Sequence, residues 1–117
     1  LNICTELWAL ETYRDYAAQG AQLILSPRAT AAATTPKWLA LGSVAAVRSG
    51  AFSVSSNRSD PSGTCGGVGW IISPDGELLA TTSATRPFAT QDLDLAAPVR
   101  ARHSYPRDVF RRSACRR

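Results

Sequence analysis

Leu1 to Pro27, LNICTELWALETYRDYAAQGAQLILSP, reads as strand, helix, strand, and that reading decides the fold. Leu1-Asn2-Ile3-Cys4 is the end of a short buried strand. Thr5 follows as an N-cap, and acidic Glu6 suits the positive end of a helix. Leu7, Leu10, Tyr13 and Ala17 recur at helical spacing, leaving Glu11, Arg14 and Asp15 for the wet side. Gly20 is the residue expected where a helix leaves through a left-handed conformation. Ala21 to Ser26 lies between two breakers, is too short for a helix, and suits a buried strand stopped by Pro27.

Beyond Pro27, a small-residue loop from Arg28 to Thr34 leads to Thr35-Pro36, an N-cap with proline at the first helical position. The helix runs to about Ser49 and ends at Gly50. Ala51 to Ser56 is a third strand, and polar, glycine-rich Asn57 to Gly67 a loop. Val68 to Ser73 and Leu78 to Thr82 flank Ser73-Pro74-Asp75-Gly76 and form a hairpin. Asp92 to Leu95 is a last short strand before a helix-like or irregular basic segment. The order βαβαβ, hairpin, strand predicts a mixed α/β layer structure.

The 117 residues suit one core, and 44% apolar with 19% charged residues is a globular composition. The chain begins at Leu1 and contains no methionine, so it reads as a processed product or an excised piece. Its net charge of +4 is uneven. Residues 1–98 carry six Lys/Arg against eight Asp/Glu, whereas residues 99–117 carry seven Arg against Asp108 alone. No apolar run approaches the roughly 18 residues of a membrane span, and no leader is present. Cys4, Cys65 and Cys115 lie at least 50 residues apart, which is neither a metal knuckle nor a disulfide framework. No metal or cofactor is expected, and reduced thiols point to a cytoplasmic setting.

Cys4 is the most informative residue. A cysteine at a strand end directly before a helix meets free backbone N–H groups that stabilise a thiolate, and the Thr5 amide becomes an oxyanion donor. The competing reading is a small core hydrophobe.

At these residues the chain resembles a known family. Ile3-Cys4-Thr5-Glu6-Leu7, with Glu11 and Arg14 after it, resembles the nucleophile motif of the nitrilase-type carbon–nitrogen hydrolases. The likeness continues through Gly20 to Pro27, Trp38-Leu39 with Ala45-Ala46-Val47, and Ser55-Ser56-Asn57-Arg58, which resembles the family's AANR segment. It goes on through Gly66 to Ala80, then Asp92 to Leu95, Arg100 and Tyr105-Pro106. Residues 1–110 therefore resemble the C-terminal portion of such a domain, and residues 111–117 form an Arg-rich tail expected to be disordered.

The resemblance implies a four-layer α-β-β-α sandwich, of which this chain is one half, a mixed sheet with helices on one face. It implies hydrolysis of non-peptide carbon–nitrogen bonds in amides, nitriles or carbamoyl amines through a thioester acyl-enzyme, with Cys4 as nucleophile. A general-base glutamate and a lysine precede the nucleophile in that family. The missing N-terminal half is thus an expected partner, beside a small-molecule amide or nitrile and a second copy of the complete protein. The isolated chain is expected to be inactive. The alternative is a catalytically dead remnant serving as a protein-interaction module.

Lys37, the only lysine, reads as a solvated charge, and Glu6 and Glu11 as capping or ion-pairing residues. Arg28 stands where many members place aromatic residues near the substrate, and either binds a substrate carboxylate or is a solvated loop charge. Gly69 replaces a serine common in the family. His103, the only histidine, reads as a surface residue rather than half of a Cys4–His103 dyad. Asn57-Arg58-Ser59 is a chance glycosylation sequon. The glycines from Gly63 to Gly69 serve turns, since the lysine and hydroxyl of a phosphate loop are missing. The arginines after Arg107 lack an aromatic platform or recognition helix, so no nucleic-acid partner is expected.

Overall fold

The computed structural model describes residues 1–105 and 107. The expected Arg-rich tail, with Phe110 and Cys115, lies outside the described residues. In chain order the elements are a short 3-10 helix, Cys4–Trp8, then α1 (Thr12–Ala18), β1 (Leu23–Arg28) and a 3-10 turn, Ala32–Thr34. They continue with α2 (Thr35–Ser49), β2 (Phe52–Asn57), β3 (Trp70–Ile72), β4 (Leu78–Thr81) and α3 (Ala97–Ser104). The four strands form one sheet in the order β1-β2-β3-β4. β1 and β2 are parallel, whereas β2–β3 and β3–β4 are antiparallel. This is the expected mixed sheet.

Alternation along β1 separates its two faces. Ile24, Ser26 and Arg28 are buried, while Leu23, Leu25 and Pro27 are exposed. On the covered face, Leu7, Trp38, Leu41, Ala46, Trp70 and Ile72 form one core cluster, and Tyr13, Ile24, Ala45 and Ala51 form another. The pairing register puts Leu25, Val54, Ile71 and Ala80 in one row on the opposite face.

The first helix departs from its expected form. It is a 3-10 helix to Trp8, then a turn, then α1, rather than one helix from Glu6 to Gln19. The Thr12 hydroxyl donates to Ala9 O at 2.8 Å, competing with the helical ladder. Tyr13 Oη donates to the Leu7 carbonyl that the break leaves without a helical donor. Leu10 falls at the break and stays exposed, although helical spacing would bury it beside Leu7 and Tyr13. Thr5 sits inside the 3-10 helix rather than at its cap; Glu6 caps instead, its Oε2 accepting the Ile3 N–H at 2.7 Å.

Three further expectations shift. Leu1 to Cys4 is not a strand, because only the Asn2 N–H reaches the β1 edge, at Leu25 O, 2.9 Å away. β1 runs through Pro27 to Arg28, which a proline permits because β1 pairs only with β2. Asp92 to Leu95 is not a strand; the Gln22 amide donates to Leu95 O at 2.8 Å, and α3 begins two residues later. Gly50 closes α2 at φ +64°, as its position demanded, and Gly76 turns the hairpin at φ +89°.

Candidate active site

Cys4 has φ +49°, the only non-glycine residue with positive φ among those described. A side chain in that region costs about 1–2 kcal/mol unless its surroundings impose it. Here the surroundings are specific. On one side Asn2 is buried, its N–H bonded to Leu25 O and its Oδ1 accepting the Tyr16 hydroxyl at 2.7 Å. On the other side Leu7 is fully buried and its carbonyl accepts Tyr13 Oη. Burial pushes the Tyr13 phenol up to about 12, with Asn2 opposing and Tyr16 adding to the rise.

The first bond of the 3-10 helix is Glu6 N–H to Ile3 O, 3.1 Å. The N–H groups of Cys4 and Thr5 therefore precede the intrahelical ladder. The half-buried Cys4 side chain packs on the Leu7–Trp38–Trp70 cluster. A five-residue 3-10 helix replaces the long dipole expected behind Cys4, so local N–H groups carry the electrostatics.

Arg28 is neither in a loop nor solvated. It ends β1 and is 6% exposed. Its Nε donates to Ser55 Oγ at 2.7 Å, Nη1 to Thr30 Oγ1 at 2.7 Å, and Nη2 to Val68 O at 2.6 Å. The guanidinium carbon lies 4.1 Å from the Trp70 ring centroid and 5.6 Å from that of Trp38. Burial pulls the guanidinium down to about 10, while the negative charge of a Cys4 thiolate works in the opposite direction. Arg28 thus stays charged at neutral pH, and its guanidinium lies over two tryptophans of the cluster on which Cys4 packs.

The residues that hold Arg28 lie in segments read as strands, a loop and family likeness, and none of them was singled out for the site. Ser55 Oγ also donates to Ser26 O, and Asn57 clamps Thr30 by accepting its N–H at 2.9 Å and donating to its carbonyl at 3.1 Å. Trp70 is fixed by its indole N–H to Ser53 Oγ, 3.0 Å. Gly69 is explained by space: a Cβ would strike Ser55 O, and the polar contact there comes instead from Thr82 Oγ1, which accepts the Gly69 N–H at 2.7 Å. Lys37 and His103 are exposed, on α2 and α3, and His103 forms no hydrogen bond with Cys4.

A cavity of about 250 Å³ is lined by Val54, Ser55, Trp70, Ile71, Pro87 and Phe88 among others but by neither Cys4 nor Arg28. Among the described residues no cluster of three or more His, Cys, Asp or Glu could hold a metal ion. No described helix is long and apolar enough to cross a membrane.

A mixed sheet with covering helices, and a strained cysteine leading a helical turn, define an α/β protein with a candidate nucleophile at one sheet edge. The carbon-nitrogen hydrolase family model matches residues 1–102, and the chain belongs to that family. Among solved structures, a carbon-nitrogen hydrolase of Helicobacter pylori G27 superposes with a TM-score of 0.70 at 19% identity, over 97% of this chain and 48% of that one. Nit3 of Saccharomyces cerevisiae, a member of branch 10 of the nitrilase superfamily, gives a TM-score of 0.62 at 22% identity, over 69% of this chain and 31% of its own. A cysteine-to-alanine mutant of the Nesterenkonia AN1 amidase gives 0.59 at 28% identity, over 69% and 32%. This chain thus spans about half the length of the Helicobacter protein and a third of the other two. No curated protein matches it.

Proposed function

We propose that this chain carries the nucleophile of a hydrolase for non-peptide carbon–nitrogen bonds, in amides, nitriles or carbamoyl amines. The observation that carries the reading is Cys4 at φ +49°, leading a helical turn inside the family match. It gains support from a Nesterenkonia amidase mutant, 27% identical, in which the acetamide moiety of fluoroacetamide is bound covalently at the active site cysteine.

In this reading the Cys4 thiolate attacks the amide carbon. The carbonyl electrons move to oxygen, and the Thr5 N–H donates to the oxyanion. Collapse breaks the C–N bond, the amine or ammonia leaves with a proton from a general acid, and a thioester remains. Water then hydrolyses the thioester and restores the thiol. A glutamate for the proton transfers and a lysine at the oxyanion belong to a partner segment, the N-terminal half of the sandwich, which packs on the open sheet face. The complete protein works as an oligomer in a reducing, cytoplasmic setting that keeps Cys4 a thiol.

The test compares residues 1–117 alone with the same residues joined to a family-type N-terminal half, by ammonia release from simple amides. Activity is expected only in the joined protein, with a loss of at least ~10³-fold on Cys4→Ala. Equal release by both proteins would sink the claim that upstream groups are needed. A second reading, a catalytically dead interaction module, is favoured by one observation: Leu25, on the open face, is 47% exposed. It predicts that Cys4 in the joined protein alkylates no faster than an ordinary thiol.

A further inference from the structure

Arg28 poses a question that the hydrolase reading leaves unanswered. Every partner it has is neutral: two hydroxyls, one carbonyl and two aromatic faces. Among the described residues no carboxylate pairs with it, whereas Arg100 has Asp94 and Arg107 has Asp75. Burying a cation without a counter-charge is costly, and neutral donors and rings offset that cost without cancelling the positive field. Beside it, Ser26, which pairs with Ser55 in the strand register, keeps a buried hydroxyl with no partner. The layer around Arg28 therefore holds one uncancelled positive charge and one unmet polar group.

The nearest acidic side chain in sequence is Glu6, two residues beyond Cys4. It is exposed, and its carboxylate is engaged by the Ile3 N–H at 2.7 Å. Water screens an exposed charge, whereas a buried one acts through a medium of lower dielectric. Arg28 is thus the buried charge that this half of the site presents to Cys4, across the tryptophan cluster on which Cys4 packs.

We infer that Arg28 makes the Cys4 site select anionic acyl donors, so that the preferred substrate carries a carboxylate near the carbon–nitrogen bond that is cleaved. This rests on the reading of Cys4 as nucleophile only for the word substrate; the selection itself is a property of the site. Arg28 acts from its buried place over the Trp38 and Trp70 rings, through its field and the N–H positions left beyond its three bonds. The site would favour an acid amide over a neutral amide of the same length.

Two alkylating reagents of nearly equal size test it, iodoacetate and iodoacetamide. Their rate ratio at one thiol cancels the thiolate fraction and reports the local potential. The reference is Cys4 in the same chain unfolded in urea, which keeps its sequence neighbours. Cys65 is a poor reference, because its N–H sits on the Asp60 carboxylate at 3.1 Å. With rates resolved by mass spectrometry at low salt, the iodoacetate-to-iodoacetamide ratio at Cys4 is expected to be roughly three- to tenfold higher folded than unfolded. Arg28→Gln should bring the two ratios together, and Arg28→Lys should keep most of the difference. Equal ratios in the unsubstituted chain would overturn the inference without any variant having to fold. A Cys4 slow toward both reagents, yet with the raised ratio, would support the anion selection and remove the nucleophile reading. A Cys4 fast toward iodoacetamide with no raised ratio would do the reverse.

Discussion

Gly42 on α2 lies flat against the Trp70 indole, so close that a Cβ there would come within 2.6 Å of Cε2 and 2.7 Å of Cζ2. The ring is held elsewhere by the Arg28 guanidinium, 4.1 Å from the centroid, by Ser53 Oγ at the indole N–H, and by the core cluster around it. Gly42→Ala sets two effects against each other. Alanine favours the helix by about 1 kcal/mol, while overpacking a fixed ring costs about 1–3 kcal/mol. The clash should win, with a net loss of about 1 kcal/mol in urea unfolding and a shift in Trp70 emission. A more stable Gly42→Ala chain would show that the ring is free to move.

Ser55 and Ser53 face the same layer but carry different loads. Ser55 Oγ accepts from the Arg28 guanidinium and donates to Ser26 O, whereas Ser53 Oγ accepts only the neutral indole N–H. Hydrogen bonds to charged groups are worth more, and leaving a buried donor unmet costs its desolvation. Ser55→Ala should therefore destabilise the chain by about 2–3 kcal/mol and Ser53→Ala by about 1 kcal/mol. Urea midpoints of the two variants decide the order. The reverse order would mean that the Arg28 nitrogen finds another acceptor.

These side chains also mark where the sequence stopped being legible. Gly20, Gly50 and Gly76 announced their turns, and each sits at positive φ, because that conformation is a local demand. The strand pattern of β1 was legible for the same local reason. The environment of Arg28 was not. Its partners Ser55, Val68 and Trp70 lie 27 to 42 residues downstream, and only the register of β1 on β2 and β2 on β3 brings them under it. The break after Trp8 was hidden likewise, since the groups around it include a buried tyrosine that reaches back six residues. Cys4 was legible as a candidate from its neighbours, but its left-handed backbone is visible only in the structure.

Asp60 ties together the loop between β2 and β3. Its carboxylate accepts from the Ser62 hydroxyl at 2.7 Å and from the Cys65 and Thr64 N–H groups at 3.1 Å each. The Ser62 bond, then the backbone bonds, hold the carboxyl down at about 2. A depressed folded value means that this contribution to stability is present above the free-chain value of 3.8. It is lost as pH falls through about 2. The Thr64 and Cys65 amide resonances should titrate together with a midpoint near 2, and Asp60→Ala should remove that titration. A midpoint near 3.8 would show that the bonds do not form.

Tyr13 gives the opposite end of the pH scale. Its phenol is raised from 10.0 to about 12 by burial, so the folded state keeps its proton where the unfolded chain has released it. Stability from this group is full below pH 10 and falls as pH rises toward 12. Tyr13→Phe should flatten that alkaline loss. At neutral pH it should cost about 1–2 kcal/mol, because the buried Leu7 carbonyl loses its donor. Alkaline unfolding curves of the two chains check the sign, and parallel curves would place the loss elsewhere.

The open face of the sheet has its own consequence. Leu25, Val54, Ile71 and Ala80 stand in one row across all four strands, and Leu23 and Leu78 lie near its edges. The segment with Pro87 and Phe88 borders this face, and Phe88 is itself 90% exposed. A contiguous apolar row of this kind lowers its free energy by meeting another apolar surface. Residues 1–117 alone should therefore self-associate, with a sedimentation coefficient that rises with concentration. Leu25→Lys puts a charge in the middle of the row and should shift the chain toward monomer. Leu10→Lys changes an equally exposed leucine at the break before α1 and should leave association unchanged. If Leu10→Lys dissociates the chain and Leu25→Lys does not, the contact runs through the Cys4 side of the molecule, and the sheet face is not what drives it.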